Sequence, residues 1–277
     1  NQVFLSNGSD DILSFAFMAF GADGAVFPSL AYSFYPVFAD LHQVPYETVP
    51  LREDFSIDPA ALAGRGKLTV LATPHAPTGL APPLDQVEAT VAADPSHVVV
   101  VDEAYVDFGA DSAAALLDKY DTLLVVMTYS KSRSMAGARL GFALGSRAII
   151  EDLEKLKYST NPYNVNRLTL KLGEAAVDAD AYFRENARRI MATRTKTMAA
   201  LRQLGFTMPD SQANFIFLTH PKLDGEQFYH QCKDRGILIR HFSDPAIAQY
   251  NRVTIGTEDE MAVFVRTARE ILAGEGS

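Results

Sequence analysis

Short runs of apolar and β-branched residues alternate with longer stretches of helical period over the first half of the chain. Val3-Phe4-Leu5-Ser6, Ala25-Val26-Phe27, Leu68-Thr69-Val70-Leu71-Ala72, Val98-Val99-Val100-Val101 and Leu123-Leu124-Val125-Val126-Met127 predict buried strands, each followed by a turn and a helix. The valine run at 98–101 has no polar interruption, which suits a strand covered on both faces. Such alternation predicts an α/β fold with a mostly parallel central sheet flanked by helices.

From Glu151 to Arg202 the pattern turns helical, broken at Pro162, with one long amphipathic segment from Ala181 to Leu201. Strand signals return at 214–218, 237–240 and 252–255, and a helix over 258–272 closes the chain. The expected organisation is a large domain over 1–180, then an interdomain helix and a small α+β C-terminal domain over 181–277.

The length of 277 residues and 48% apolar composition allow a full core. A formal charge of -9 argues against a broad grip on nucleic acid or an anionic membrane, and leaves small molecules as the expected partners. One cysteine, Cys232, allows neither an internal disulfide nor a cysteine-rich metal site, which points to a reducing compartment, the cytoplasm, and to no metal. No apolar run reaches membrane-span length, and the first residues lack a basic region followed by an apolar core. Asn7-Gly8-Ser9 matches a glycosylation sequon, a pattern common by chance.

Candidate chemistry gathers at strand ends. The valine run ends in Asp102-Glu103-Ala104-Tyr105, which places a carboxylate at the carboxyl edge of a central strand, where ligands of such sheets bind. Asp102 reads either as an N-cap or as an ion-pair partner. The next strand ends in Thr128-Tyr129-Ser130-Lys131, with Arg139 eight residues beyond the lysine. A lysine that is partly desolvated can lose its proton, and the neutral amine condenses with an aldehyde. Arg139 and the hydroxyls of Thr128 and Ser130 supply what a phosphate dianion needs. Near the start, Gly8, Ser9 and Asp10 lie between a strand and a helix, which offers free backbone N–H groups to an anion. Tyr32 can stack on a flat heterocycle or pack in the core. Arg240 and Arg252, at strand ends, can hold a carboxylate or phosphate or make surface ion pairs.

Taken in order, these segments resemble fold type I pyridoxal 5′-phosphate (PLP) enzymes, and within them the histidinol-phosphate aminotransferase family, over essentially the whole chain. The resemblance is carried by Asn-Gly-Ser-Asp at 7–10, Tyr-Ser-Phe-Tyr at 32–35, Pro-Thr-Gly at 77–79 and Asp-Glu-Ala-Tyr at 102–105. It continues through Tyr-Ser-Lys at 129–131, Ala-Gly-Ala-Arg-Leu-Gly at 136–141, Pro-Tyr-Asn-Val-Asn at 162–166, Ala-Asn-Phe-Ile at 213–216 and Arg-Val-Thr-Ile-Gly-Thr at 252–257.

That resemblance implies a homodimeric transaminase of histidine biosynthesis, which converts L-histidinol phosphate and 2-oxoglutarate to imidazole acetol phosphate and L-glutamate. It implies Lys131 as Schiff-base lysine and general base, Asp102 as partner of the pyridine nitrogen and Tyr105 as hydrogen-bond donor to the ring hydroxyl. Tyr32 would stack on the ring; Ser9, Asp10, Thr128, Ser130 and Arg139 would surround the phosphate; Arg252 and Arg240 would bind substrate anions. Aromatic-amino-acid aminotransferases and threonine-phosphate decarboxylases share most of these residues, and a regulator that binds PLP or another metabolite without catalysis is the non-enzymatic alternative. A nucleotide-binding protein is disfavoured, because no glycine-rich phosphate loop follows a strand.

The sequence departs from the family pattern twice. Ala76 stands where the family carries an asparagine before Pro-Thr-Gly, leaving His75 or water to substitute. Relatives also have some tens of residues before Asn-Gly-Ser-Asp, including a tyrosine that reaches the partner's site; either the chain is a fragment or its site is more open.

Overall fold

Strands β4 (Leu68–Ala72), β5 (Val99–Asp102) and β6 (Leu123–Thr128) lie side by side and parallel at the centre of the computed structural model, which describes residues 2–274. They belong to a seven-stranded sheet that also contains β1 (Val3–Ser6), β2 (Ala25–Pro28), β3 (Tyr46–Val49) and β7 (Gly141–Gly145), in the order β1-β7-β6-β5-β4-β2-β3. Only β7 runs against its neighbours.

The uninterrupted apolar runs follow from burial on both faces. Val100, Leu124 and Val126 pack into one core with Phe4 and helices α1 (Ser9–Phe20) and α2 (Phe34–Leu41). Val99, Val101, Leu123 and Val125 face a second core with Leu62 of α3 (Pro59–Leu62) and Val87 and Val91 of α4 (Leu84–Ala92). Each face therefore excludes water, which favours β-branched residues throughout.

Helices α5 (Arg147–Thr160), α6 (Arg167–Asp178) and the 24-residue α7 (Asp180–Gln203) form the expected helical stretch. A three-stranded sheet follows, ordered β8-β10-β9, from β8 (Phe215–Leu218), β9 (Arg240–His241) and β10 (Asn251–Thr254). It packs with α8 (Gly225–Asp234) and α9 (Glu258–Ala273) around a third core. Among the described residues no helix is long and apolar enough to cross a membrane.

Several local expectations need correction. The strand expected over 237–240 begins only at Arg240, because the Ile237 N–H closes the end of α8 on the Cys232 carbonyl and Leu238 is 79% exposed. The helices expected after β5 and β6 are short 3-10 turns, Val106–Phe108 and Ala136–Ala138. Strand β3 escapes the pattern because it is a half-exposed edge, and β7 because glycines bound it.

Candidate active site

The parallel strands end together and deliver Ala72, Asp102 and Thr128 to one rim, where a cavity of about 240 Å³ opens. Ser9, Asp10, Tyr32, Asp102, Tyr105, Thr128, Ser130, Lys131, Arg139 and Arg252 all line it. Of the residues to which the resemblance gave a cofactor or substrate role, Arg240 alone is outside this lining; it stands directly opposite Arg252 in the β9–β10 pairing.

Asp102 closes β5 and is 6% exposed. One carboxylate oxygen accepts the Ala104 N–H at 3.2 Å, so the N-cap reading holds as far as a tight turn. The other accepts the Tyr35 hydroxyl at 2.8 Å. Burial pushes the Asp102 carboxyl up to about 6, against the opposing pull of these two donors and of the Lys131 charge.

The loop after β6 turns back on itself: the Tyr129 N–H bonds the Leu140 carbonyl at 3.0 Å and the Ser134 N–H bonds the Lys131 carbonyl at 3.1 Å. Arg139 closes that loop in the left-handed region at φ 53, a conformation costly for a residue with a Cβ and held here by the surrounding bonds. The reversal brings Lys131 and Arg139 to the same cavity. Lys131 is exposed rather than partly desolvated as expected, with its Nζ 5.4 Å from the Tyr105 ring centroid. Desolvation of this amine must come from a ligand.

At the cavity's other end, α1 starts without a side-chain cap, leaving its first N–H groups to a ligand. Arg139 lies against this turn, 3.3 Å from the Asp10 carboxylate, whose other oxygen accepts the Tyr32 hydroxyl at 2.9 Å. Gly8 makes the approach possible: a Cβ there would sit 2.6 Å from the guanidinium, and its φ of 92 with ψ of 168 suits glycine alone. A Cβ at Gly141 would likewise meet the Gly8 backbone at 2.5 Å. We expect Gly8→Ala to cost about 1–3 kcal/mol of stability, checked by urea unfolding, with an unchanged midpoint counting against this packing.

Thr128 spends its hydroxyl on Ser130 Oγ at 3.0 Å and accepts the Ser130 N–H at 3.1 Å, so it shapes the turn while Ser130 presents the freer hydroxyl. Arg252, from the second sheet, lies 4.9 Å over the Phe215 ring, and no carboxylate among the described residues pairs with it. Its charge is available to an anion. Ala76 offers only a methyl to the cavity. His75 does not replace the missing amide: it is fully buried, one ring nitrogen lies 2.6 Å from the Leu30 carbonyl and the other 2.8 Å from Thr78 Oγ1. Burial holds its imidazole at about 4, hence neutral, and the ring ties the segment carrying Tyr32 to the Pro-Thr-Gly turn.

Two functional neighbours were not legible beforehand. Tyr35 lies three residues beyond Tyr32, and its place in α2 turns it inward to the core. Phe215 meets Tyr105 edge-on at 5.0 Å and carries Arg252 on the same ring, so it joins the two sheets at the cavity.

The family model of aminotransferases of class I and II matches residues 1–267. A histidinol-phosphate aminotransferase of Bordetella parapertussis is 47% identical over 99% of this chain and 78% of its own length. Among solved structures, the histidinol-phosphate aminotransferase from Clostridium acetobutylicum superposes with a TM-score of 0.88 at 21% identity, covering 99% of this chain and 84% of its own. That of Sinorhizobium meliloti in complex with pyridoxal-5′-phosphate superposes with a TM-score of 0.85 at 22% identity, covering 99% and 77%.

Proposed function

The chain belongs to the family of aminotransferases of class I and II, and from that membership we propose a PLP-dependent exchange of an amino group in histidine biosynthesis. Its substrates are L-histidinol phosphate and 2-oxoglutarate, its products imidazole acetol phosphate and L-glutamate. The observation that carries this reading is the convergence of Asp102, Lys131 and Arg139 on one cavity that Arg252, without a carboxylate partner among the described residues, also lines.

The donor set fits the cofactor. The room left by the missing Cβ of Gly8, the uncapped start of α1 and the Arg139 guanidinium make a cup for a phosphate, distant in role from the acid at Asp102. Arg139 with Ser130, Thr128 and the backbone of Ser9 and Asp10 would hold the phosphate, Tyr32 would stack on the ring, and Tyr105 would donate to the ring hydroxyl. Asp102 would grip the protonated pyridine nitrogen, and Lys131 would hold the cofactor through its aldehyde carbon. When bound, PLP supplies an electron sink for the charge left as a proton leaves the carbon bearing the amino group. The Lys131 amine, tethered at the same cavity, would be the group that holds and moves that proton. Arg252 would bind the glutamate carboxylate and Arg240, on the adjacent strand, the phosphate end of histidinol phosphate.

Residues 1–180 would form the cofactor-holding domain and 181–277 the interdomain helix and small domain; Asn1 and Glu275–Ser277 lie outside the described residues. The enzyme would act in the cytoplasm as a homodimer. Exposed apolar side chains along α6, with Leu168 at 71% and Leu172 at 46%, support an interface between copies.

The test is turnover: purified protein with PLP, L-histidinol phosphate and 2-oxoglutarate should form L-glutamate, faster than with aromatic amino acids as donors. No glutamate, or carbon dioxide release from O-phosphothreonine instead, would overturn the assignment. A second expectation concerns Ala76→Asn. A new donor beside the ring hydroxyl stabilises its ionised form, so the pH midpoint of the cofactor's visible band should fall by about one pH unit while turnover persists. Identical titrations for the two proteins would show that this position does not reach the ring.

A further inference from the structure

Asp102 receives one side-chain hydrogen bond, from Tyr35, and that tyrosine has no other use for its hydroxyl among the described residues. Tyr35 is fully buried on α2, its ring held edge-on by Phe27 at 5.8 Å and by Tyr32 at 5.8 Å. These aromatic neighbours would pack a phenylalanine as well, and a buried hydroxyl is costly unless it is bonded. Its ionisation is pushed well above the ordinary tyrosine range by burial and then by the Asp102 charge, so it is a fixed donor. With one Asp102 oxygen tied to Tyr35 and the backbone N–H of Ala104 bonded to the other, the carboxylate plane is set from behind while the group still lines the cavity.

We propose that Tyr35 is a positioning residue, which acts through Asp102 to orient that carboxylate toward the pyridine nitrogen and keep it ionised at neutral pH. The proposal rests on the reading of the site as a PLP site. The other groups acting on Asp102 are Lys131, which favours its ionised form, and Asp10, which opposes it; Tyr32, Tyr105 and Glu103 lie nearby, and Arg139 and Arg252 line the same cavity. Burial opposes ionisation most, and the Tyr35 bond is the largest effect working against burial. Removing the hydroxyl therefore leaves the acid protonated over a wider range of pH.

The probe is pyridoxamine 5′-phosphate, which carries the ring nitrogen and phosphate but cannot bond to a lysine. Its affinity for the full chain should fall as pH drops and Asp102 takes up a proton. In Tyr35→Phe we expect binding about tenfold weaker at pH 7 and the acid midpoint about one pH unit higher. In an Asp102→Asn background the same substitution should change affinity less than twofold, because its effect runs through the carboxylate. An unshifted midpoint in Tyr35→Phe, or an equal loss in both backgrounds, overturns the proposal. Should Tyr35→Phe not fold, the double variant, which leaves no carboxylate without its donor, should fold; if it also fails, Tyr35 serves packing and the proposal falls. Parent protein that does not bind the probe would instead refute the PLP reading itself.

Discussion

Lys131→Ala is expected to abolish amino transfer, with kcat reduced by more than about 10⁴-fold. A positioned general base contributes roughly 10²–10⁴-fold, and the same side chain also anchors the cofactor, so both contributions disappear together. The cup around Arg139 is untouched by this change, so PLP should still bind, more weakly and without a covalent link. Steady-state assays combined with equilibrium dialysis separate these outcomes. Added methylamine should restore part of the rate by standing in for the missing amine. A variant that retained more than a hundredth of the parent rate would show that another group moves the proton.

Asp102→Asn carries the second large effect. An amide cannot neutralise a protonated ring nitrogen, and loss of a charge aimed at the reacting system from a buried position costs on the order of 10²–10³-fold in kcat. Stability should move the opposite way in cofactor-free protein. The folded carboxyl sits at about 6, above its ordinary 3.8, because burial disfavours its charge. The native state therefore binds the proton more tightly than the unfolded chain, and the stability this acid contributes is present below about pH 4 and lost as pH rises through about 6. Replacing it should raise stability at pH 7 to 8 by up to about 3 kcal/mol and leave it unchanged near pH 4. Urea unfolding at the two pH values reads this directly, and equal effects at both would contradict it. An acid that destabilises its own fold is retained for the ligand it holds.

Much of this arrangement was legible in the sequence because it depends on strand ends. A valine run that stops at Asp102 and a second run that stops just before Lys131 fix both groups to the same rim once the strands are parallel neighbours, and parallel pairing follows from their uninterrupted apolar character. Arg139 was legible for a different reason: hydroxyls, a lysine and an arginine in one short loop satisfy a phosphate and little else. The remainder depends on distances between segments remote in sequence. Nothing local marks Tyr35 as the partner of an acid 67 residues away, or Phe215 as the ring shared by Tyr105 and Arg252. The neutral, doubly bonded state of His75 likewise emerges only when Leu30 and Thr78 fold around it. Arg240 shows the converse: the apolar residues before it suggest a longer strand than the two residues that form one, and its link to the site is its pairing with Arg252.

The most direct test of the account is chemical. The protein incubated with PLP, reduced with borohydride and digested should yield one peptide bearing the reduced cofactor, with the label on the side chain at position 131. Label on any other lysine, or none at all, would contradict the assignment of Lys131 as the residue that holds the cofactor.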